Sequence, residues 1–359
     1  MFSGSYKPED VEILLQPIDF QFVDIDEKEK MIQSGENHYS ELLSYESLPS
    51  QKYYDLYHES MDRNAVLVAQ DIMRLAEQIN NEKESVVLVS LARAGTPVGV
   101  LLKIALAKRY NNIAKHYSVS IVRDKGIDEA ALTYIVKNNP GSKLYFVDGW
   151  TGKGVITREL VSSIEKYNAR YGTSIEPTMC VLVDLCGMAD MTGSYDDYLI
   201  PSSILNATVS GLISRSIIDP HTEDSSEFHK CYFYSEYKNS DLSNEFIEKM
   251  SSIFLDNNFE FDSNVVDYKE GKVLAKMNAL SLLLHYVKKY NVQNINLIKP
   301  GIGEATRVLL RRTPDLVLIK NNSPDVKHIV YLANEKGVKI IVDPKLPYNA
   351  VSIIQNKNF

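Results

Sequence analysis

Apolar residues dominate four short runs in the first half of the chain: VVLVS (86–90), YSVSIV (117–122), KLYFV (143–147) and MCVLVD (179–184). A strand with one wet face alternates polar and apolar residues, so near-continuous runs predict strands covered on both faces of a parallel sheet. Between the runs, apolar residues return at helical spacing. Ala65, Val68, Ala69, Ile72, Leu75, Ala76 and Ile79 form one stripe of a helix expected from about Tyr53 to Ile79. A second helix is expected in GTPVGVLLKIALAKRY, with Thr96 as N-cap and Pro97 at the first helical position. Strand and helix in alternation predict an α/β fold, a parallel sheet flanked by crossover helices.

Residues 1–45 carry many acids and little periodicity, and predict an irregular arm packed on this domain. A polar stretch (about 238–265) then interrupts the pattern. It resumes with INLI (295–298), a helix from Glu304, DLVLI (315–319), a helix from Pro324 and VKIIV (338–342). Ser323-Pro324 supplies a cap with proline in the first turn, and Gly337 is placed to end that helix. The expected organisation is a main domain over 1–245, a linker over 246–270 and a small α/β unit over 271–359. The 359-residue length suits two domains.

Charge divides along the same line. Residues 271–359 hold 14 Lys+Arg against 5 Asp+Glu, a net of +9, whereas residues 1–270 hold 25 against 42, a net of −17. A basic tail on an acidic body points to a polyanionic partner for the tail. No run approaches the ~20 apolar residues of a membrane span. The opening MFSGSYKPED lacks the pattern of a secretory signal, so a cytoplasmic protein with no membrane partner is expected. Cys180, Cys186 and Cys231 fit no disulfide framework or paired metal-ligand spacing.

Chemistry enters at two glycine turns. In LYFVDGWTGKGVITREL (144–160) a strand ends in an acid, Asp148, and a turn feeds a helix near Val155. It is neither a P-loop nor a dinucleotide fingerprint: Gly154 follows Lys153 where a P-loop has Ser or Thr, and GxGxxG is absent. The amides of Gly152, Lys153 and Gly154, with the Thr151 and Thr157 hydroxyls, suit a monophosphate at a helix N-terminus. Two strands earlier, SLARAGTPVGV (90–100) forms a similar turn with Arg93 expected exposed.

These turns resemble the phosphate and pyrophosphate loops of type I phosphoribosyltransferases, and SIVRDKGIDEAAL (120–132) resembles the flexible loop between them. The resemblance implies phosphoribosyl pyrophosphate as ligand, with Mg²⁺ and the ribose oriented by Asp148. Thr151, Gly152, Lys153, Gly154 and Thr157 would hold the 5-phosphate, and Arg93, Ala94, Gly95 and Thr96 the pyrophosphate. Arg123 and Lys125 would close over the leaving group. The family has two consecutive acids where this chain has Asp148 alone. DYLIPSSILNATVSGLISRSI (197–217) and EFHKCYFYSEY (227–237) would supply acceptor contacts.

The second informative stretch is KPGIGEATRVLLRR (299–312). A glycine turn followed by basic residues on an opening helix suits an RNA backbone. It resembles the Gly-x-Asn-Glu-x-Thr-Lys pattern of kink-turn-binding and pelota-type domains. Gly301, Glu304, Thr306 and Arg307 match, Gly303 replaces the Asn, and Lys299 and Arg311 extend the basic corner. The resemblance implies RNA as a partner of residues 271–359.

Together the two halves resemble a bacterial fusion family found in tellurium-resistance gene clusters and also labelled cysteine protease StiP. The main expectation is a phosphoribosyltransferase-like enzyme with an RNA-binding tail, linked to stress response, with a homodimer possible. The rival is a cysteine protease. It needs a thiolate beside a base, and Cys186, just past a strand end in VLVDLCGMAD, is the thiol placed like a nucleophile. His116, His221 and His229 are candidate bases, and Cys180 and Cys231 are expected core residues. A third expectation is a non-catalytic sensor of a phosphoribosyl ligand.

Overall fold

The computed structural model describes residues 2–218, 227–256, 258–262 and 266–354. The N-terminal arm contributes two short strands, β1 (Glu12–Ile13) and β2 (Gln16–Pro17), and a helix, α1 (Ile25–Ser34). Helix α2 (Gln51–Asn81) extends the predicted stripe at both ends, and its N-cap Ser50 accepts from the Tyr53 N–H. The alternating part follows: β3 (Val86–Leu91), α3 (Gly95–Tyr110), β4 (Lys115–Val119), β5 (Ile121–Val122), β6 (Gly126–Ile127), α4 (Glu129–Asn138), β7 (Lys143–Thr151), α5 (Val155–Tyr171), β8 (Thr178–Asp184) and β9 (Met191–Ser194). The main sheet has the order β1-β4-β3-β7-β8-β9, and all its neighbours run parallel.

The apolar runs become strands because both of their faces are covered. Leu88, Tyr145, Val147, Cys180 and Leu182 pack in one core with α2 and α3. Val87, Val89, Phe146, Met179 and Val181 pack in another with α4 and α5. Each such side chain contributes about 1.5–3 kcal/mol of burial. The fold is thus mixed α/β with a parallel sheet between helices.

Two local expectations are corrected. Helix α3 starts at Gly95 with Ala94 as its cap residue, so Thr96 lies inside the helix. Its hydroxyl shares a hydrogen bond with Ser118 Oγ at 2.8 Å instead. YSVSIV does not form one strand: β4 ends at Val119, and β5 turns away to pair with β6. Residues 197–217 include two 3-10 turns, Pro201–Ser203 and Ala207–Val209. Downstream, β10 (Lys230–Cys231) pairs with β2, and α6 (Ser243–Leu255) buries Phe246, Met250 and Phe254.

The basic segment forms α7 (Tyr268–Lys289), β11 (Ile298–Pro300), α8 (Ile302–Arg311), β12 (Leu316–Ile319), α9 (Lys327–Glu335), β13 (Lys339–Val342) and β14 (Ala350–Ile353). Its sheet has the order β11-β14-β12-β13, with β14 antiparallel to both neighbours and β12 parallel to β13. Gly337, at φ +63°, follows the end of α9 as expected. The two sheets share one apolar core: Leu185 of the first part belongs to the same cluster as Ile302, Leu309 and Tyr348 of the second. Among the described residues no helix is long and apolar enough to cross a membrane.

Candidate functional site

Parallel strands end at one rim, so the turns after β3, β7 and β8 lie side by side. The first two are in close contact. A Cβ on Gly95 would sit 2.0 Å from the Val147 carbonyl oxygen, and one on Gly149 would sit 3.4 Å from that of Ala94. The small C-terminal unit rests on this rim and fills the turn expected to hold a phosphate. A Cβ on Gly152 would meet Pro300 O at 2.7 Å, and one on Gly154 would meet Met188 Cγ at 2.7 Å. Lys153 Nζ donates to the carbonyls of Ile298 (2.7 Å) and Ile295 (3.1 Å). The Gly154 N–H donates to Thr151 Oγ1, and the buried Thr157 hydroxyl has no partner.

Arg93 is buried rather than exposed. Its guanidinium donates to both Glu46 carboxylate oxygens at 2.8 Å and to Ile213 O at 2.9 Å. Burial opposes ionisation of Glu46, but Arg93 outweighs it and holds the carboxyl below its usual range. Arg123 pairs with Asp124 at 3.0 Å on the β5–β6 turn, and neither Arg123 nor Lys125 lines the rim cavity. That cavity, of about 160 Å³, is lined by Arg93, Asp148, Trp150, Arg215, Arg307 and Arg311, with Ala94 at its edge. Four guanidiniums around one lining carboxylate suit an anionic group.

The charges there are strained by burial. Asp148 is pushed up to about 6 by burial, with Arg307 opposing. Lys153 is pushed down to about 7 by burial and then by Lys299. Burial, then Arg93 and Arg307, lowers Arg311 to about 9. The donor set does not fit Mg²⁺: Asp148 accepts its neighbour Gly149 N–H and faces Arg307. No group of three or more His, Cys, Asp or Glu among the described residues could hold a metal ion.

The motif of the C-terminal unit points inward, onto the rim. Gly301, at φ +88°, opens α8, and the Ile302 N–H donates to Asp197 Oδ1 at 2.9 Å. Gly303 lies flat against the indole: a Cβ there would be 2.4 Å from Trp150 Cε2. The Arg307 guanidinium sits 4.4 Å from the centroid of the same ring and 3.6 Å from Glu304. Thr306 is buried, donating to Ile302 O and sharing a bond with His328 Nε2. Burial lowers Lys299. Asp197 and Trp150 organise this interface and were not singled out from sequence. The available signal was a lone tryptophan inside a glycine turn.

Cys186 lies just beyond β8 with its sulfur 3.6 Å from both Thr151 Oγ1 and Asp184 Oδ1. Burial and then the Asp184 carboxylate push its thiol up to about 12. The C-terminal unit covers this turn. Tyr348 donates to Leu185 O at 2.6 Å, and a Cβ on Gly187 would meet Lys272 O at 2.3 Å. Cys180 in β8 and Cys231 in β10 are fully buried core thiols, as expected. Among the described residues no histidine is bonded to a thiol. His116 bonds Ser90 and Asp10 O, and His229 bonds Ser120. His221 lies outside the described residues.

Comparison with known proteins adds three findings. Residues 4–251 match the family described as tellurite-like stress resistance cysteine protease StiP. Residues 277–356 match the PELOTA RNA binding domain. A curated relative, Cysteine protease StiP of Acinetobacter baylyi (strain ATCC 33305 / BD413 / ADP1), is 39% identical over 368 residues, covering 99% of this chain and 94% of its own. That relative overturns the phosphoribosyltransferase expectation, since it is named a protease. In the turn expected to bind a phosphate, Gly152 packs against Pro300 and Lys153 is bonded to the Ile295 and Ile298 carbonyls.

Proposed function

This chain belongs to the StiP family, and from that premise we propose that it is a cysteine protease, closed at rest, with Cys186 as nucleophile and an RNA-binding C-terminal unit as its cover. The observation that carries this reading is the position of Cys186, which alone among the three thiols stands on a turn at the sheet rim. The main sheet serves as a phosphoribosyltransferase-like scaffold carrying a different chemistry; its strand order and the two adjacent rim turns support that likeness. Three unpaired thiols fit a reducing, cytoplasmic setting.

A thiolate attacks a peptide carbonyl, forms a thioester as the amine leaves with a proton, and water then hydrolyses the thioester. At rest Cys186 cannot begin this sequence. A thiol held near 12 is protonated, and its neighbours within bonding reach are Thr151 and Asp184, with no histidine among them. Withdrawal of the C-terminal unit would hydrate the sulfur and admit a base and a substrate. RNA supplies a reason for withdrawal, because Lys299, Glu304, Arg307 and Arg311 are engaged at the rim while the unit is docked.

The test is digestion of casein and of a peptide library by the full chain, with and without RNA. Cys186→Ser should abolish cleavage, while Cys180→Ser and Cys231→Ser should retain it. Undiminished cleavage by Cys186→Ser removes this nucleophile, and no cleavage under any condition removes the protease. A second reading rests on the arginine-lined cavity: a non-catalytic protein that binds an anion there. Saturable anion binding in a chain that never cleaves would favour it.

A further inference from the structure

Helix α7 is apolar on two opposite sides. Ala275, Ala279, Leu282, Leu283 and Tyr286 face inward and are buried. Val273, Leu274, Met277, Leu280 and Leu284 are each 54–63% exposed. Four of these, at 273, 277, 280 and 284, follow the 4-3-4 spacing of a coiled-coil seam. A single surface helix ordinarily turns polar residues to water, so this stripe is built to be covered.

We propose that the outer face of α7 is the interface of an antiparallel homodimer. The stripe reads the same from both ends, so a twofold axis near its midpoint places Val273 against Leu284 of a second copy, and Met277 against Leu280. Charge agrees with that direction. Asp267 is the N-cap, the first turn carries Glu270 and the last carries Lys288 and Lys289, so antiparallel pairing brings Glu270 of one copy beside Lys288 of the other. Lys276 falls opposite Ser281 rather than another lysine. A seam this narrow suits a helix partner; a membrane-surface helix needs a broader apolar face.

Sedimentation of the full chain at micromolar concentration tests the interface. The wild type should be dimeric, and Leu280→Glu should weaken association about thirtyfold or more without altering the circular dichroism. Glu270→Lys should weaken it several-fold, and adding Lys288→Glu should restore it. Met277→Cys with Leu280→Cys should cross-link copies on oxidation, because the three native thiols are buried. A wild type that stays monomeric, a dimer indifferent to Leu280→Glu, or a monomer that floats with phosphatidylserine vesicles would each overturn the assignment.

Discussion

Helices α8 and α7 belong to the same C-terminal unit and use their surfaces in opposite ways. Helix α8 turns its glutamate and arginines inward against Trp150 and the arginine-lined cavity. Helix α7 leaves a row of leucine, valine and methionine side chains facing out. The docked face sets buried charge beside the apolar core that the two parts share, so its charged groups weaken a contact that its apolar groups hold. An exposed apolar stripe has no such penalty and gains only from being covered. Helix α8 uses its charged face within the chain, and α7 leaves an apolar face uncovered.

Forcing the docked face apart should have the largest effect. Gly303→Leu has no room against the indole, and should cost about 3 kcal/mol of stability. Alkylation of Cys186 by iodoacetamide should then accelerate at least about tenfold; an unchanged rate would mean that docking does not seal the thiol. Asp197→Asn comes next. Its two oxygens accept from the Ile302 and Asn349 N–H groups, and an amide nitrogen facing one of them should cost about 2 kcal/mol in thermal or urea unfolding.

A pH profile sharpens the same comparison with a smaller effect. Asp148 is raised to about 6 in the folded chain, so between about pH 4 and 6 the folded state keeps a proton that the unfolded state has lost. The stability that protonated Asp148 contributes is therefore full below about pH 4 and is lost as pH rises through 6. Asp148→Asn should flatten that fall by about 1 kcal/mol, measured as Tm against pH. Lys153 acts at the other end: depressed to about 7, its charging penalty is full below pH 7 and eases as pH rises further. The smallest change expected is a gain. Arg311 is crowded by Arg93 and Arg307, so Arg311→Met should raise stability by about 1 kcal/mol, and a fall in Tm would show that the cavity charge is better compensated than the geometry implies.

Much of this was legible in the sequence wherever burial leaves a local pattern. VVLVS and KLYFV became central strands because continuous apolar runs are stable only between two covering layers. Cys186 was placed past a strand end by the same reading, and Gly337 was placed after a helix. The site was harder. Thr151 to Gly154 look like an anion cradle in isolation, and only the folded chain shows Pro300 packed on Gly152 and Lys153 engaged by the Ile295 and Ile298 carbonyls. Gly303 looked like a lost asparagine, whereas in the structure it is the residue with no side chain to collide with Trp150.

Periodicity, turn residues and charge segregation are properties of neighbouring positions. From them alone came the parallel sheet, the small basic unit after it and the rim on which any chemistry must stand. Which groups on that rim are free to react was decided by tertiary structure. Covering of the turn that carries the thiol and closure of the glycine turn depend on Tyr348 and Pro300, more than a hundred residues distant, brought into contact when one unit docks on the other.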